Sequence, residues 1–208
     1  YQADPNGDRS GSSYVVFGRA SGFDAAMNLS TLDGSNGFRL DGVAAGDLSG
    51  RSVSNAGDVN GDGFDDVIIG ASGADSNGDS SGSGYVVFGR ASGFDATMNL
   101  SGLDGSNGFR LNGEAVFDRS GYSVSSAGDV NGDGFDDVII GAQGADSNGN
   151  DSGSGYVVFG RASGFDAAMD LSSLDGSNGF RLDGVEDFEY LGKSVSNAGD
   201  VNGDGFDD

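Results

Sequence analysis

The chain repeats itself. The segment Tyr-Val-Val-Phe-Gly-Arg-Ala-Ser-Gly-Phe-Asp-Ala begins at Tyr14, Tyr85 and Tyr156, and Asp-Val-Asn-Gly-Asp-Gly-Phe-Asp-Asp begins at Asp58, Asp129 and Asp200. Every spacing is 71 residues, so the 208 residues hold just under three copies of one unit. A unit that recurs at a fixed period is one supersecondary module, and its apolar faces are buried against its neighbours. The sequence begins and stops inside a unit, which reads as cuts through a longer array.

Each unit reads as short strands between turn signals. In the middle of the chain, Tyr122–Ala127 alternates small and apolar residues. Asp137–Ala142 and Tyr156–Phe159 are continuous apolar runs, and Phe180–Leu182 is shorter and more polar. Runs of Val, Ile, Tyr and Phe bounded by Gly, Asn, Asp and Ser favour strands. A continuous apolar run implies a strand covered on both faces. Four strands per unit with doubly covered middle strands fit the stacked blades of a β-propeller. A β-solenoid or a string of small sandwiches is the alternative, but solenoid coils are much shorter than this repeat. Phe23–Leu32 and its copies Phe94–Leu103 and Phe165–Leu174 fit either a helical turn or an extended stretch, packing at a blade edge.

Composition removes several function classes. There is no Cys and no His, and Lys193 is the single lysine. Disulfides, thiol nucleophiles, Cys- or His-ligated metals and imidazole acid–base chemistry are therefore excluded. Thirty-three acidic residues against ten basic ones give a formal charge of −23, which repels nucleic acid and anionic membranes. No apolar run approaches the roughly 20 residues of a membrane helix. Such acidity suits hard cations, which prefer oxygen ligands. It also resembles a salt-adapted surface.

The nine-residue Asp motif carries the clearest chemistry. In the first copy, side-chain oxygens fall at Asp58, Asn60, Asp62 and Asp66, with Phe64 offering its carbonyl and Gly63 permitting the reversal of the chain. The second copy supplies Asp129, Asn131, Asp133, Phe135 and Asp137. The third supplies Asp200, Asn202, Asp204, Phe206 and Asp208. An all-oxygen, carboxylate-rich set selects Ca²⁺ over zinc or copper, and Mg²⁺ resists the dehydration it demands. The twelfth position is Ile69 or Ile140, where an EF-hand has a bidentate Glu, so an affinity on the order of 10⁻⁴–10⁻³ M is expected. An acidic turn that binds nothing is the plain alternative, and three full copies weigh against it.

In order, Gly-x-Ser-Val, Ala-Gly-Asp-Val-Asn-Gly-Asp-Gly-x-x-Asp, Val-Ile-Ile-Gly-Ala and Gly-x-x-Tyr-Val-Val-Phe resemble the FG-GAP repeat of integrin α-subunit propellers and their bacterial counterparts. The resemblance spans essentially the whole chain. It departs where Ser49, Ser120 and Leu191 precede the glycine that the family name pairs with Phe. It implies an all-β fold of tandem four-stranded integrin α-like propeller blades, as an incomplete ring of about three repeats. Residues 1–42 would be the outer strands of a partial blade, 43–113 and 114–184 complete blades, and 185–208 an inner strand with its calcium loop. The remaining partners of each blade would be neighbouring blades of the same longer chain. It further implies one Ca²⁺ per loop, up to three, on one face of the ring and a ligand-docking face opposite.

The copies differ most in 43–51, 114–122 and 185–193, the segment that the resemblance places on that opposite face. Phe117, Arg119, Tyr122, Phe188, Tyr190 and Lys193 are its candidate contact residues; drift in an unconstrained loop is the alternative. Asp4–Asp8, Asp75–Asp79 and Asp146–Asp151 read as polar hairpins in preference to further cation loops. Arg39, Arg110 and Arg181 are expected to pair with nearby Asp.

The functional expectation is a non-enzymatic, calcium-stabilised propeller segment of a secreted or cell-surface protein, binding a glycan or an extracellular protein, with no nucleic-acid partner and no membrane insertion. A structural spacer and a polysaccharide-active enzyme are the other classes.

Overall fold

The computed structural model describes residues 1–162 and 164–208. It is all-β. The first repeat contributes β1 (Ser12–Val16) and β2 (Gly37–Asp41). The second contributes β3 (Ser52–Gly57), β4 (Asp66–Ala71), β5 (Ser83–Val87), β6 (Thr97–Asn99) and β7 (Gly108–Asn112). The third contributes β8 (Ser123–Gly128), β9 (Asp137–Ala142), β10 (Ser154–Val158), β11 (Ala168–Asp170) and β12 (Gly179–Asp183). β3-β4-β5-β7 and β8-β9-β10-β12 are antiparallel meanders, the two complete blades, while β1-β2 is an outer pair. These propeller blades do not close a ring.

The continuous apolar runs have their reason in the cores. Ile68, Val86, Phe109 and Leu111 of the middle blade pack with Val124, Val138, Ile140 and Tyr156 of the next. On its other face, Ile69, Tyr85 and Val87 pack with Phe38 and Leu40 of the first. Alternate residues of a strand point to opposite faces, so Ile68 and Ile69 feed two different cores. Each core lies between blades.

The segment that fits either a helical turn or an extended stretch does both, in succession, and it crosses to its neighbour. β6 pairs in parallel with β2 (Thr97 with Arg39, Asn99 with Asp41), and β11 pairs likewise with β7. A 3₁₀ turn follows each, Leu100–Gly102 and Leu171–Ser173. The first copy forms only the turn Leu29–Thr31. At the crossing, Phe94 stacks on Phe38 with ring centroids 4.5 Å apart, and Phe165 stacks on Phe109 at 4.4 Å. Arg90 and Arg161 cover the outer faces of Phe94 and Phe165. β2 and β7 are thus each extended by a short strand from the following repeat.

Beyond Asp183, no strand forms among the described residues. Ser194–Gly199, equivalent to β3 and β8, has no ladder partner there, and its loop closes through Ala198 N–H to the Asp208 carbonyl at 3.1 Å. The arginines divide. Arg39 pairs with Asp41 and Arg181 with Asp183 and Glu114. Arg110 does not follow the expectation, because Asn112 stands where the other copies have Asp.

Candidate metal centre and the opposite loops

A β-bulge between Asn55 and Gly57 shifts the register so that Gly57 pairs with Asp66, and the chain leaves the sheet at Asp58. The chain then wraps around its own side-chain oxygens. Asp62 N–H donates to Asp58 Oδ1 at 3.0 Å and to Asn60 Oδ1 at 2.9 Å. Gly63 N–H donates to Asp58 Oδ2 at 2.9 Å, and Phe64 N–H to Asp62 Oδ1 at 3.0 Å. Asp66 closes the loop: its carboxylate accepts Val59 N–H at 3.0 Å and Gly89 N–H at 2.8 Å. Asp129–Asp137 repeats the same bonds, with Val130 and Gly160 as donors to Asp137. In the third loop, Asp200 and Asn202 accept loop amides, Phe206 N–H donates to Asp204, and Val201 N–H donates to Asp208.

The sequence-derived positions are therefore brought into one turn, three times. Among the described residues, however, no group of three acidic side chains is gathered so that it could hold a metal ion as it stands. The reason is visible in the bonds above. The carboxylates of Asp58 and Asp62 serve loop amides, and Asp66 is turned to the backbone of Val59 and Gly89. The donor chemistry still fits a hard cation. Each carboxylate oxygen has a second lone pair. Asp66 and Asp137 are also buried, at 1% and 0% exposure. Burial, with Asp62 and Asp58 near the one and Asp133 and Asp129 near the other, pushes both carboxyls up to about 7. A buried carboxylate beside two others is a site that positive charge would stabilise.

The variable segments lie at the other end of the strands, before β3 and β8 and after β12. Their backbone is fixed by the turn that follows the second strand of the preceding blade. Phe117 N–H donates to the Asp79 carbonyl at 2.9 Å and Arg119 N–H to the Ser80 carbonyl at 3.0 Å. Phe188 and Tyr190 do the same to Asn150 and Asp151. Phe117, Arg119, Phe188 and Tyr190 are all left-handed, with φ of 68°, 59°, 61° and 57°. A bulky residue there costs roughly 1–2 kcal/mol, yet all four project their side chains into solvent. Lys193 is exposed as well, whereas Tyr122 is half-buried beneath Arg51, which lies 4.0 Å from its ring centroid. The polar turns behave as hairpins: Asp75 accepts Ser80 N–H at 2.7 Å, and Asn77 Nδ2 donates to the Gly113 carbonyl at 2.7 Å.

Two buried acids escaped the sequence reading. Asp47 and Asp118 are buried and cap the variable segment, accepting Ala44 N–H at 2.8 Å and Ala115 N–H at 2.9 Å. Their signal was an acid kept in a segment that otherwise changes. Burial, with Glu114 and Asp146 nearby and Arg181 opposing them, pushes Asp118 up to about 6. An acid whose pKa is raised by folding costs stability above that pKa and ceases to do so as the pH falls through it. Asp118→Asn is therefore expected to flatten the rise in melting temperature between pH 7.5 and 5, read by circular dichroism in chelator.

A family model now has a fold and a site to meet. The FG-GAP repeat model matches residues 49–87 and 120–158, from the glycine turn through the first three strands of each complete blade. The chain is built of FG-GAP repeats. Both matches take in the whole Asp loop and the paired strands on either side of it. Three relatives are integrin α-subunits. Integrin alpha-4 of Xenopus laevis is 35% identical over 172 residues, 82% of this chain and 15% of that protein. Integrin alpha-V of Gallus gallus is 32% identical over 76% of this chain and 13% of its own length. Integrin alpha-5 of Xenopus laevis is 30% identical over 52% of this chain and 10% of its own. The FG-GAP chain thus spans about a seventh or less of these relatives. No helix among the described residues is long and apolar enough to cross a membrane.

Proposed function

We propose that this FG-GAP chain is a calcium-stabilised, non-enzymatic propeller segment of a secreted or cell-surface protein that binds a glycan or extracellular protein. The observation that carries the reading is the burial of Asp66 and Asp137 beside further carboxylates, in loops that keep one geometry in every copy. Asp58, Asn60, Asp62, Asp66 and the Phe64 carbonyl would hold one Ca²⁺. The corresponding residues from Asp129 to Asp137 and from Asp200 to Asp208 would hold two more. The ion would supply positive charge and rigidity, with no chemical step. Residues 43–113 and 114–184 act as whole blades, with 1–42 and 185–208 as parts of their neighbours. Ligand contact falls to Phe117, Arg119, Phe188, Tyr190 and Lys193, whose backbone is held while the side chains vary. Tyr122 supports them through Arg51. The integrin relatives favour adhesion over a spacer role, and the formal charge of −23 disfavours nucleic acid.

Thermal unfolding in millimolar Ca²⁺, in Mg²⁺ and in chelator tests the metal. Ca²⁺ alone is expected to raise the midpoint by roughly 5–15 °C, because binding only to the folded state stabilises it. The triple change Asp62→Ala, Asp133→Ala and Asp204→Ala should erase that rise; an unchanged midpoint in Ca²⁺ would sink the reading. For the ligand face, retention on arrayed glycans and matrix proteins should fall with Arg119→Glu and Lys193→Glu together.

A further inference from the structure

We propose that Asp136 and Asp207 are positioning residues for the cation loop of the preceding repeat, and so make Ca²⁺ binding directional along the chain. This rests on the reading that the loops hold Ca²⁺. Each residue is the eighth of its nine, beside a ligand position, yet each reaches backwards. Asp136 Oδ2 accepts Asp58 N–H at 2.8 Å, while Asp136 N–H donates to the Asp58 carbonyl at 3.3 Å. Asp207 grips Asp129 in the same two ways, at 3.0 and 3.3 Å. The aromatic ring one residue earlier joins the contact: Phe135 lies on Gly61, and Phe206 on Gly132. Gly57, at φ 74°, makes room for the clamp, since a Cβ there would collide with the Asp136 carboxylate.

The grip falls on the residue that organises the loop. Asp58 takes the amides of both Asp62 and Gly63, so fixing its backbone fixes the centre of the turn. The first loop has a further hold, Arg161 N–H donating to the Val59 carbonyl at 2.9 Å. A site ordered in advance loses less on binding. A lesion in one loop is therefore felt in the loop before it.

The test is a CaCl₂ titration of the ¹⁵N-labelled 208-residue chain, following the amide shifts of Gly63, Gly134 and Gly205 as one reporter per loop. Asp136→Ala is expected to raise the half-saturating Ca²⁺ at Gly63 about tenfold while leaving Gly134 within about twofold. Asp207→Ala should act on Gly134 in the same way. Asp65→Ala, equally close to a ligand but with no preceding loop in this chain, should move neither. Asp136→Asn keeps an acceptor and should weaken Gly63 only about threefold, and it decides the matter if the alanine variant unfolds. An equal or larger loss at Gly134, or an unchanged Gly63 in a chain that otherwise titrates, overturns the inference. A wild-type chain with no Ca²⁺-dependent shift at any of the three glycines overturns the calcium reading itself, and the inference with it.

Discussion

Asp66→Ala is expected to destabilise the chain by about 3–5 kcal/mol, in chelator as well as in Ca²⁺. The carboxylate is buried and accepts the amides of Val59, in the loop, and of Gly89, just past the end of β5. An alanine leaves both donors without a partner and opens a small void in a dry place. Asp62→Ala should behave differently. Its side chain is exposed and accepts only Phe64 N–H and an amide proton of Asn60, so in chelator it costs little. In Ca²⁺ it removes a ligand and the stabilisation that comes with the ion. Urea unfolding of both variants with and without Ca²⁺ separates the roles. A loss for Asp66→Ala that vanished in chelator would show that its backbone bonds contribute nothing of their own.

Gly70→Ala is expected to cost about 3 kcal/mol or more and to part the second blade from the third. A Cβ on Gly70 would land on the carbonyl oxygen of Gly121, a backbone atom of the next repeat with no rotamer to change. Gly102→Ala is the control, because it would meet nothing within 4 Å. Hydrogen exchange along β8 and β9 reads the outcome. Faster exchange in both strands for Gly70→Ala, with none for Gly102→Ala, is the expected pattern; native protection in both would refute the joint.

The contrast between those glycines shows what the sequence could and could not reveal. The repeat, the strand runs and the Asp loops were legible because each is complete within one unit. Val-Ile-Ile alternates between two cores, and the loop closes on its own ninth residue. The joints were not legible, because their partners lie one repeat apart. Phe94 reads as an ordinary apolar residue until it is found on Phe38. The first acid of each Asp-Asp pair looks like surface charge until Asp136 is seen on Asp58. Arg110 shows the opposite error: extending Arg39 and Arg181 to it by period ignored the change to Asn112. The candidate contact residues come from comparing copies, and the half-buried setting of Tyr122 was not visible that way because Arg51, which lies over its ring, belongs to the repeat before.

The parallel pairing of Asp41 with Asn99 bears on how such a chain is made. Synthesis runs from the N-terminus, so β2 leaves the ribosome almost a whole repeat before the strand that covers its edge. During that interval a row of free amides and carbonyls and the Phe38 face that Phe94 will cover are left open. An open sheet edge is a template for wrong pairing, and here every other emerging copy of β2 or β7 carries the same Gly-Phe-Arg-Leu sequence. The hazard travels with the growing end, one repeat behind it, and is greatest wherever translation pauses between Asp41 and Asn99.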